Sequence, residues 1–396
     1  MNKEIKDVVI VSAKRTAIGA FNGSLASVKA TELGSIAIKS AVAEAKLSNN
    51  DIDEVIMGNV LTAGEGQAPA RQAALGAGLS LGTECLTINK VCGSGLKAVM
   101  LATQSIQVGD ANIVVAGGME SMSNVPYYLP GGRNGHRLGH GVVEDGILRD
   151  GLLNAYDGIH MGVSGELCAT EKNYSREAQD AFAKTSYERA LDAQKNGVFD
   201  NEIVDVEVPQ RGKDPIIVNI DDEPGRGNFD KMLKLPSAFK KDGTITAANA
   251  SKINDGASAL VLMSADEAKK RDIPVLVKIV AQASAAQAPE WFTTAPVKAI
   301  AKVLKKANLS IDDIDLFEIN EAFSVVAMAA MDALNIPHEK VNINGGAVSL
   351  GHPIGASGAR ILTTLIHAME AKEAKYGLAT LCIGGGEAAA LIVERA

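Results

Sequence analysis

The chain repeats one design twice, and that repetition limits the folds open to it. Residues 88–106, INKVCGSGLKAVMLATQSI, leave a strand-like run, turn through glycine and open a helical pattern, and the apolar run IVVAGGME follows. Residues 343–369, INGGAVSLGHPIGASGARILTTLIHAM, do likewise, and LCIGGGEA follows. The copies lie much further apart than the roughly 20–50 residues of a solenoid repeat, so two fused, related α/β domains explain them better than a stacked array. A chain of 396 residues also outgrows a single hydrophobic core.

The rest of the chain follows the same grammar. Strand-like runs DVVIVSA, EVIMGNV, LTINKV and NIVVAGG alternate with a helix expected over 31–47 with Thr31 as its N-cap, which predicts a parallel sheet. From about Pro289 the pattern returns, with LFEIN as a strand, a helix over Glu321–Leu334 and LATLCIGGG as a strand. Between the halves, Ser121–Asn249 is rich in turn formers (PGGRNGHRLGHG, RGKDP, DDEPGRGN) and reads as an inserted loop domain with one helix from Ser175 to near Gly197. The expected division is 1–120 plus 250–272 for the N-terminal half, 121–249 for the loop domain and 273–396 for the C-terminal half.

A net charge of -8 offers no broad positive field for nucleic acid or an anionic membrane, and no run of about 20 apolar residues is present. The N-terminal MNKEIKDVVIVSAKRTAIG lacks a secretory pattern, so a cytoplasmic location is expected. Four cysteines in a chain of this length, none in a CxxC pair, do not make a disulfide framework or a structural zinc site.

Cys92 sits in NKVCGSG, after a strand and at the expected start of a helix, where free N–H groups and the helix dipole favour a thiolate. The bland reading is a buried structural cysteine. Gly93 and Gly95 tip the balance, as backbone cleared for a substrate. His352, in SLGHPIGASGAR, stands in a glycine-rich turn that Pro353 fixes, and imidazole there can deprotonate a thiol. The remaining histidines, at 136, 140, 160, 338 and 367, read alone as surface or packing residues. Cys382 closes a strand before Gly384, Gly385 and Gly386; alone it is a small apolar strand end, and Asn320 in INEAF alone is a helix cap. No GKS or GKT completes a Walker loop, and GxSxG and HExxH are missing.

In this order, NKVCGSG, NEAF, NINGGAVSLGHPIGASGAR and LCIGGG resemble the thiolase family, with similarity over essentially the whole chain. TAANAS and the stretch around His352 are most similar to the acetoacetyl-CoA thiolases. The resemblance implies a thiolase fold, duplicated α/β halves in a layered αβαβα arrangement with an inserted loop domain, usually assembled as a tetramer of two dimers. It implies a reversible Claisen condensation of two acetyl-CoA to acetoacetyl-CoA and CoA, without a required cofactor. Cys92 would carry the acetyl group, with His352 accepting its proton. Cys382 would deprotonate the second acetyl-CoA, and His352 and a water on Asn320 would hold the enolate. The N–H groups of Cys92 and Gly384 would meet the tetrahedral oxyanion.

The resemblance also implies CoA contacts at His160, Met161, Arg226, Lys231, Phe239, Ala247, Ser251, Ala322 and Phe323, and a potassium site at Tyr187, Ala247, Ala248, Ala250 and Val348. The run CxGGGxG is interrupted, since Ala388 follows Glu387. The alternatives are a degradative thiolase for longer 3-ketoacyl-CoA and, from another class, a non-catalytic CoA-binding scaffold subunit, against which the four retained side chains argue.

Overall fold

In the computed structural model, which describes residues 5–396, the repeated design appears as repeated topology. The main strands are β1 Val8–Thr16, β2 Glu54–Gly58, β3 Glu84–Ile88, β4 Ile113–Ser121, β5 Asn254–Ser264, β6 Val277–Ala286, β7 Leu316–Ile319, β8 Tyr376–Ile383 and β9 Glu387–Arg395. They lie side by side in the order β7-β8-β9-β6-β1-β5-β4-β2-β3. Only two residue pairs, Val9 with Lys278 and Ile10 with Val277, join β1 to β6. The sheet is therefore two half-sheets, and β1-β5-β4-β2 is matched by β6-β9-β8-β7.

The expected parallel sheet is only half met. β2 runs parallel to β3 and β4, and β7 parallel to β8. β5 is antiparallel to β1 and β4, and β9 antiparallel to β6 and β8. The reason for β9 is local: three glycines join it to β8, and Gly385 and Gly386 take φ of +88° and +86°, so the chain reverses with no room for a crossover helix.

Helices α1 Ala30–Glu44, α2 Ser94–Val108, α3 Met161–Glu171, α4 Arg176–Lys195, α5 Ala295–Ala307, α6 Ser324–Leu334 and α7 Ser357–Ala371 complete the layers. Adjacent strand residues face opposite sides, which sorts them into separate cores. Val114 and Leu260 join Leu96 and Val99 of α2, Ile361 and Leu365 of α7, and Leu381 and Leu391 of the other half in a central core. Their neighbours Val115 and Val261 pack outward on Leu33 and Ile38 of α1. On the far side Leu378 and Ala390 meet Ile300 and Val303 of α5. The order is helix, sheet, paired helices, sheet, helix, the layered αβαβα arrangement.

Two helix starts differ from expectation. α1 opens one residue earlier, and Thr31 is buried within it; at the true start the Lys29 N–H donates to Glu32 Oε2 at 3.3 Å. α6 begins at Ser324 because Glu321 is already committed, its buried carboxylate accepting from Ser186 Oγ (2.7 Å), Asn342 Nδ2 (2.7 Å) and the Val348 N–H (3.1 Å). The helix expected from Ser175 is α4, capped by Ser175 Oγ, which accepts from the Ala178 N–H. Residues 121–249 hold a second long helix, α3, that periodicity did not indicate.

The paired central helices touch at their first turns through glycine. A Cβ on Gly95 of α2 would lie 2.6 Å from the Ala359 nitrogen, and one on Gly358 of α7 would overlap the Leu96 backbone. These two positions set how closely the turns before the helices approach each other.

Candidate active site

The turn before α2 carries Cys92 and the turn before α7 carries His352. Val91 adopts φ of +46°, an unfavourable conformation for a β-branched residue. Ser94 Oγ holds the turn, donating to the Val91 carbonyl at 2.6 Å and accepting from the Lys90 N–H at 2.8 Å. Lys90 also forms an ion pair with Glu387, just past the glycines of the second half. Gly93 and Gly95 do not clear space for a substrate: a side chain at Gly93 would strike Ile383, and one at Gly95 would strike Ala359.

The expected thiolate is corrected too. Burial pushes the Cys92 thiol up to about 11, opposed by the N–H groups of Gly384 and of Cys92 itself, which donate toward its sulfur. Helix α2 starts only at Ser94, with Gly93 as its N-cap, so Cys92 stands just outside the helix terminus.

His352 is buried, and its tautomer follows from its neighbours. Ser357 Oγ donates its hydrogen to the Pro353 carbonyl (2.8 Å), so it accepts from the imidazole Nδ1–H at 2.6 Å. Nε2 is left as a bare acceptor with no protein partner. Burial, aided by the charge of Arg360, lowers His352 to about 3, so the ring is a neutral base. Its backbone N–H donates to Asn254 Oδ1 at 2.8 Å. The buried Glu120 carboxylate accepts from the N–H groups of Gly355, Val60 and Leu61, tying the His352 turn to the first half. Burial raises Glu120 to about 7, with Glu65 adding to the rise. Nothing in the sequence singled out Ser357, Asn254 or Glu120, whose types are ordinary in turns and strand ends.

Cys382 is fully buried near the end of β8, packed with Met161, Ala322 and Phe323. Burial first, and then the nearby Cys92, push its thiol well above the usual range. The Asn320 side chain is 1% exposed and neither its oxygen nor its nitrogen has a protein partner, although its backbone N–H donates to the Thr380 carbonyl. An unpartnered buried amide is costly to keep unless something else binds it.

Cys92, His352 and Gly384 line a cavity of about 420 Å³, also bounded by His160, Met161, Arg226, Phe239, Ala247, Ser251, Ala322 and Phe323. His160 caps α3 by accepting from the Gly162 N–H and stacks on Phe239 at 4.6 Å, and Phe239 meets Phe323 edge-on at 5.9 Å. Arg226 lies 3.8 Å from Glu223 at the exposed rim. Lys231 is exposed and does not line the cavity. A roomier surface cavity of about 920 Å³ beside α4, lined by Glu188, Arg189, Asp192 and Lys375, has neither thiol nor imidazole on its walls.

The residues expected to hold potassium gather at the cavity wall, which Ala247 and Ala250 line together with Lys252, and Tyr187, Ala248 and Val348 form one cluster behind it. They already hold a cation. Lys252 Nζ donates to the Ala250 carbonyl at 2.6 Å and the Val348 carbonyl at 3.0 Å, and stands 5.5 Å from the centre of the Tyr187 ring. Burial lowers this ammonium to about 8, against the pull of the Glu223 and Glu321 carboxylates. Two of the carbonyl donors are taken and a second positive charge would be repelled, so the set does not fit a potassium ion beside the ammonium.

Two thiols, a neutral imidazole and converging N–H groups on a duplicated αβαβα frame define an acyl-transferring enzyme of the thiolase class, and the chain belongs to the thiolase family. Residues 8–266 match the thiolase N-terminal domain and 273–395 the thiolase C-terminal domain. Among curated relatives, the acetyl-CoA acetyltransferase of Schizosaccharomyces pombe is 54% identical over 98% of this chain and 99% of its own length. The human mitochondrial acetyl-CoA acetyltransferase is 52% identical over 99% of this chain and 91% of its own length. Among solved structures, the Acat5 thiolase of Ascaris suum in complex with coenzyme A is 42% identical with a TM-score of 0.94, covering 99% of this chain and 100% of that one. The Bacillus anthracis acetyl-CoA acetyltransferase is 39% identical with a TM-score of 0.97 over the same shares.

Proposed function

We infer that the chain is an acetyl-CoA C-acetyltransferase, joining two acetyl-CoA into acetoacetyl-CoA and CoA, or running that step backwards, through an acetyl-Cys92 intermediate. One observation carries the reading: a neutral His352 with a bare Nε2 and the Cys92 thiol, toward which the Gly384 N–H donates, line one cavity.

A thiol at about 11 is ionised in roughly one molecule in ten thousand at neutral pH, so His352 must take the proton as the sulfur attacks. The acetyl thioester oxygen then gains charge beside the N–H groups of Cys92 and Gly384, donors fixed before the reaction begins. CoA leaves, taking the proton back from His352. For the second acetyl-CoA, Cys382 first gives its thiol proton to His352 Nε2, the resulting thiolate removes a methyl proton, and the enolate oxygen accepts from the His352 Nε2–H and from a water on Asn320. The carbanion attacks acetyl-Cys92, the C–C bond forms, and the Cys92 sulfur leaves as a thiolate that takes its proton from the His352 imidazolium, while Cys382 keeps the methyl proton. The thioester itself acidifies the α-carbon, so these residues complete the reaction without a redox group. No step is given to potassium, in keeping with the placement of Lys252.

The rim residue Arg226 suits the anionic nucleotide end of CoA, and His160, Phe239 and Phe323 suit its pantetheine arm. Lys231 would reach a phosphate only from outside the cavity. A homotetramer is proposed on the same resemblance, supported by the apolar side chains exposed at Leu129, Leu138, Val142 and Val143. The four free cysteines suit a reducing compartment, and a cytoplasmic location is proposed on that ground. Incubation with acetyl-CoA, intact mass measurement and peptide mapping test the function. One acetyl group on Cys92, released by CoA, is expected; an unmodified chain would favour a scaffold role.

A further inference from the structure

We propose that the Lys252 ammonium is a built-in monovalent cation, which locks the CoA-side loop to the turn carrying His352 and makes the site indifferent to potassium.

The geometry is that of a cation site with its occupant attached. Lys252 arises from the segment that binds both the cavity wall and the second half: the Ser251 N–H donates to the Ala322 carbonyl (3.0 Å), and the Asn249 carbonyl accepts from the Ser324 N–H (2.9 Å). Its Nζ reaches across to the Val348 carbonyl, in the short helix Ala347–Leu350 that ends two residues before His352. The ammonium thus spans two segments that no covalent bond joins locally, and its contact with the Ala250 carbonyl holds its own loop in shape. The Tyr187 ring adds its negative face within the distance at which aromatic rings attract cations.

The surroundings specify charge one and weak hydration. Glu321 and Glu223 face the ammonium as countercharges, but Glu321 is already bound by Ser186, Asn342 and Val348, and Glu223 stands near Asn254 and Arg226. What remains for the cation is neutral carbonyl oxygen and a π-face. Such donors replace the hydration shell of a large monovalent ion such as potassium or ammonium more readily than that of sodium. A lysine supplies that ion tethered to the chain, without the entropy of capturing it from solution. Deleting the side chain while keeping the carbonyls should leave a vacancy that potassium can fill.

The test compares the full-length wild type with Lys252→Thr in potassium, sodium and choline chloride at equal ionic strength. For the wild type, melting midpoint and thiolysis rate should be the same in all three salts. Lys252→Thr should melt lower in sodium and choline and regain about 2–4 °C in potassium or ammonium. Its kcat should fall about tenfold without potassium and recover with it. The kcat arm rests on the activity proposed above; the thermal arm does not, so failure of one is distinguishable from failure of the other. A potassium-specific gain in the wild type would overturn the proposal even if the variant did not fold. So would equal loss in every salt, or a change confined to KM for CoA, which would make Lys252 a substrate contact instead. Lys252→Arg, which keeps the charge, should stay insensitive to the choice of salt.

Discussion

The two halves place a glycine-rich turn at the same point of the same topology, yet the turns differ in chemistry. The first presents a single thiol, Cys92, next to a strained residue, Val91, in a turn braced by Ser94 and by the ion pair of Lys90 with Glu387. The second turn supplies a base whose tautomer is set by Ser357, and the strand ends of the same half add a buried thiol, an amide with no protein partner and the Gly384 donor. The difference teaches that duplication gave a frame with two equivalent turns, of which one came to hold the acyl group and the other to manage protons.

The largest effects should separate these tasks. Cys92→Ala should abolish both turnover and acetyl labelling, with a loss of about 10⁴-fold or more. Cys382→Ala should lower condensation about 10³-fold while still accumulating one acetyl group on Cys92. Labelling lost equally in both variants would break the assignment of separate tasks. Next, Gly358→Val tests whether the halves must touch at the helix crossing. A side chain overlapping the Leu96 backbone should cost about 3 kcal/mol in urea unfolding, whereas Gly82→Ala, at an open position, should cost little.

The smallest effect concerns His352 and acid. Its folded value near 3 lies below the ordinary histidine value of 6.5, so the unfolded chain binds more protons between them. Stability from this residue is complete above about 6.5 and is lost as pH falls toward 3. Between about pH 6.5 and 4.5 the wild type should lose about 2 kcal/mol more than His352→Asn. Glu120, raised by burial, acts oppositely in both proteins and cancels from the comparison. An identical acid response of the two proteins would mean that His352 takes up its proton in the folded state as readily as in the unfolded chain.

Much of the architecture was legible because it is periodic. Val114 and Val115 lie in an apolar run that announces a strand buried on both faces, and the repeated turn announces two halves. Strand direction was not legible: nothing in the composition of β5 or β9 says which way it runs, and only the glycine turn before β9 carried a hint. Cys92 and His352 stood out by their glycine settings, but their protonation did not, since it depends on burial that neighbouring sequence does not report. Lys252 was invisible for a plainer reason. A lysine after a serine in a loop reads as a solvated charge, and its carbonyl partner at Val348 lies 96 positions away.

The crossing of α2 and α7 at Gly95 and Gly358 has a consequence for any fragment of this molecule. The acyl carrier and its base stand on turns that lead into the two crossing helices, one from each half, so separated halves would each fold toward an incomplete device. Catalysis therefore doubles as a gauge of docking between them, and recovery of turnover on mixing two inactive pieces would time their reunion.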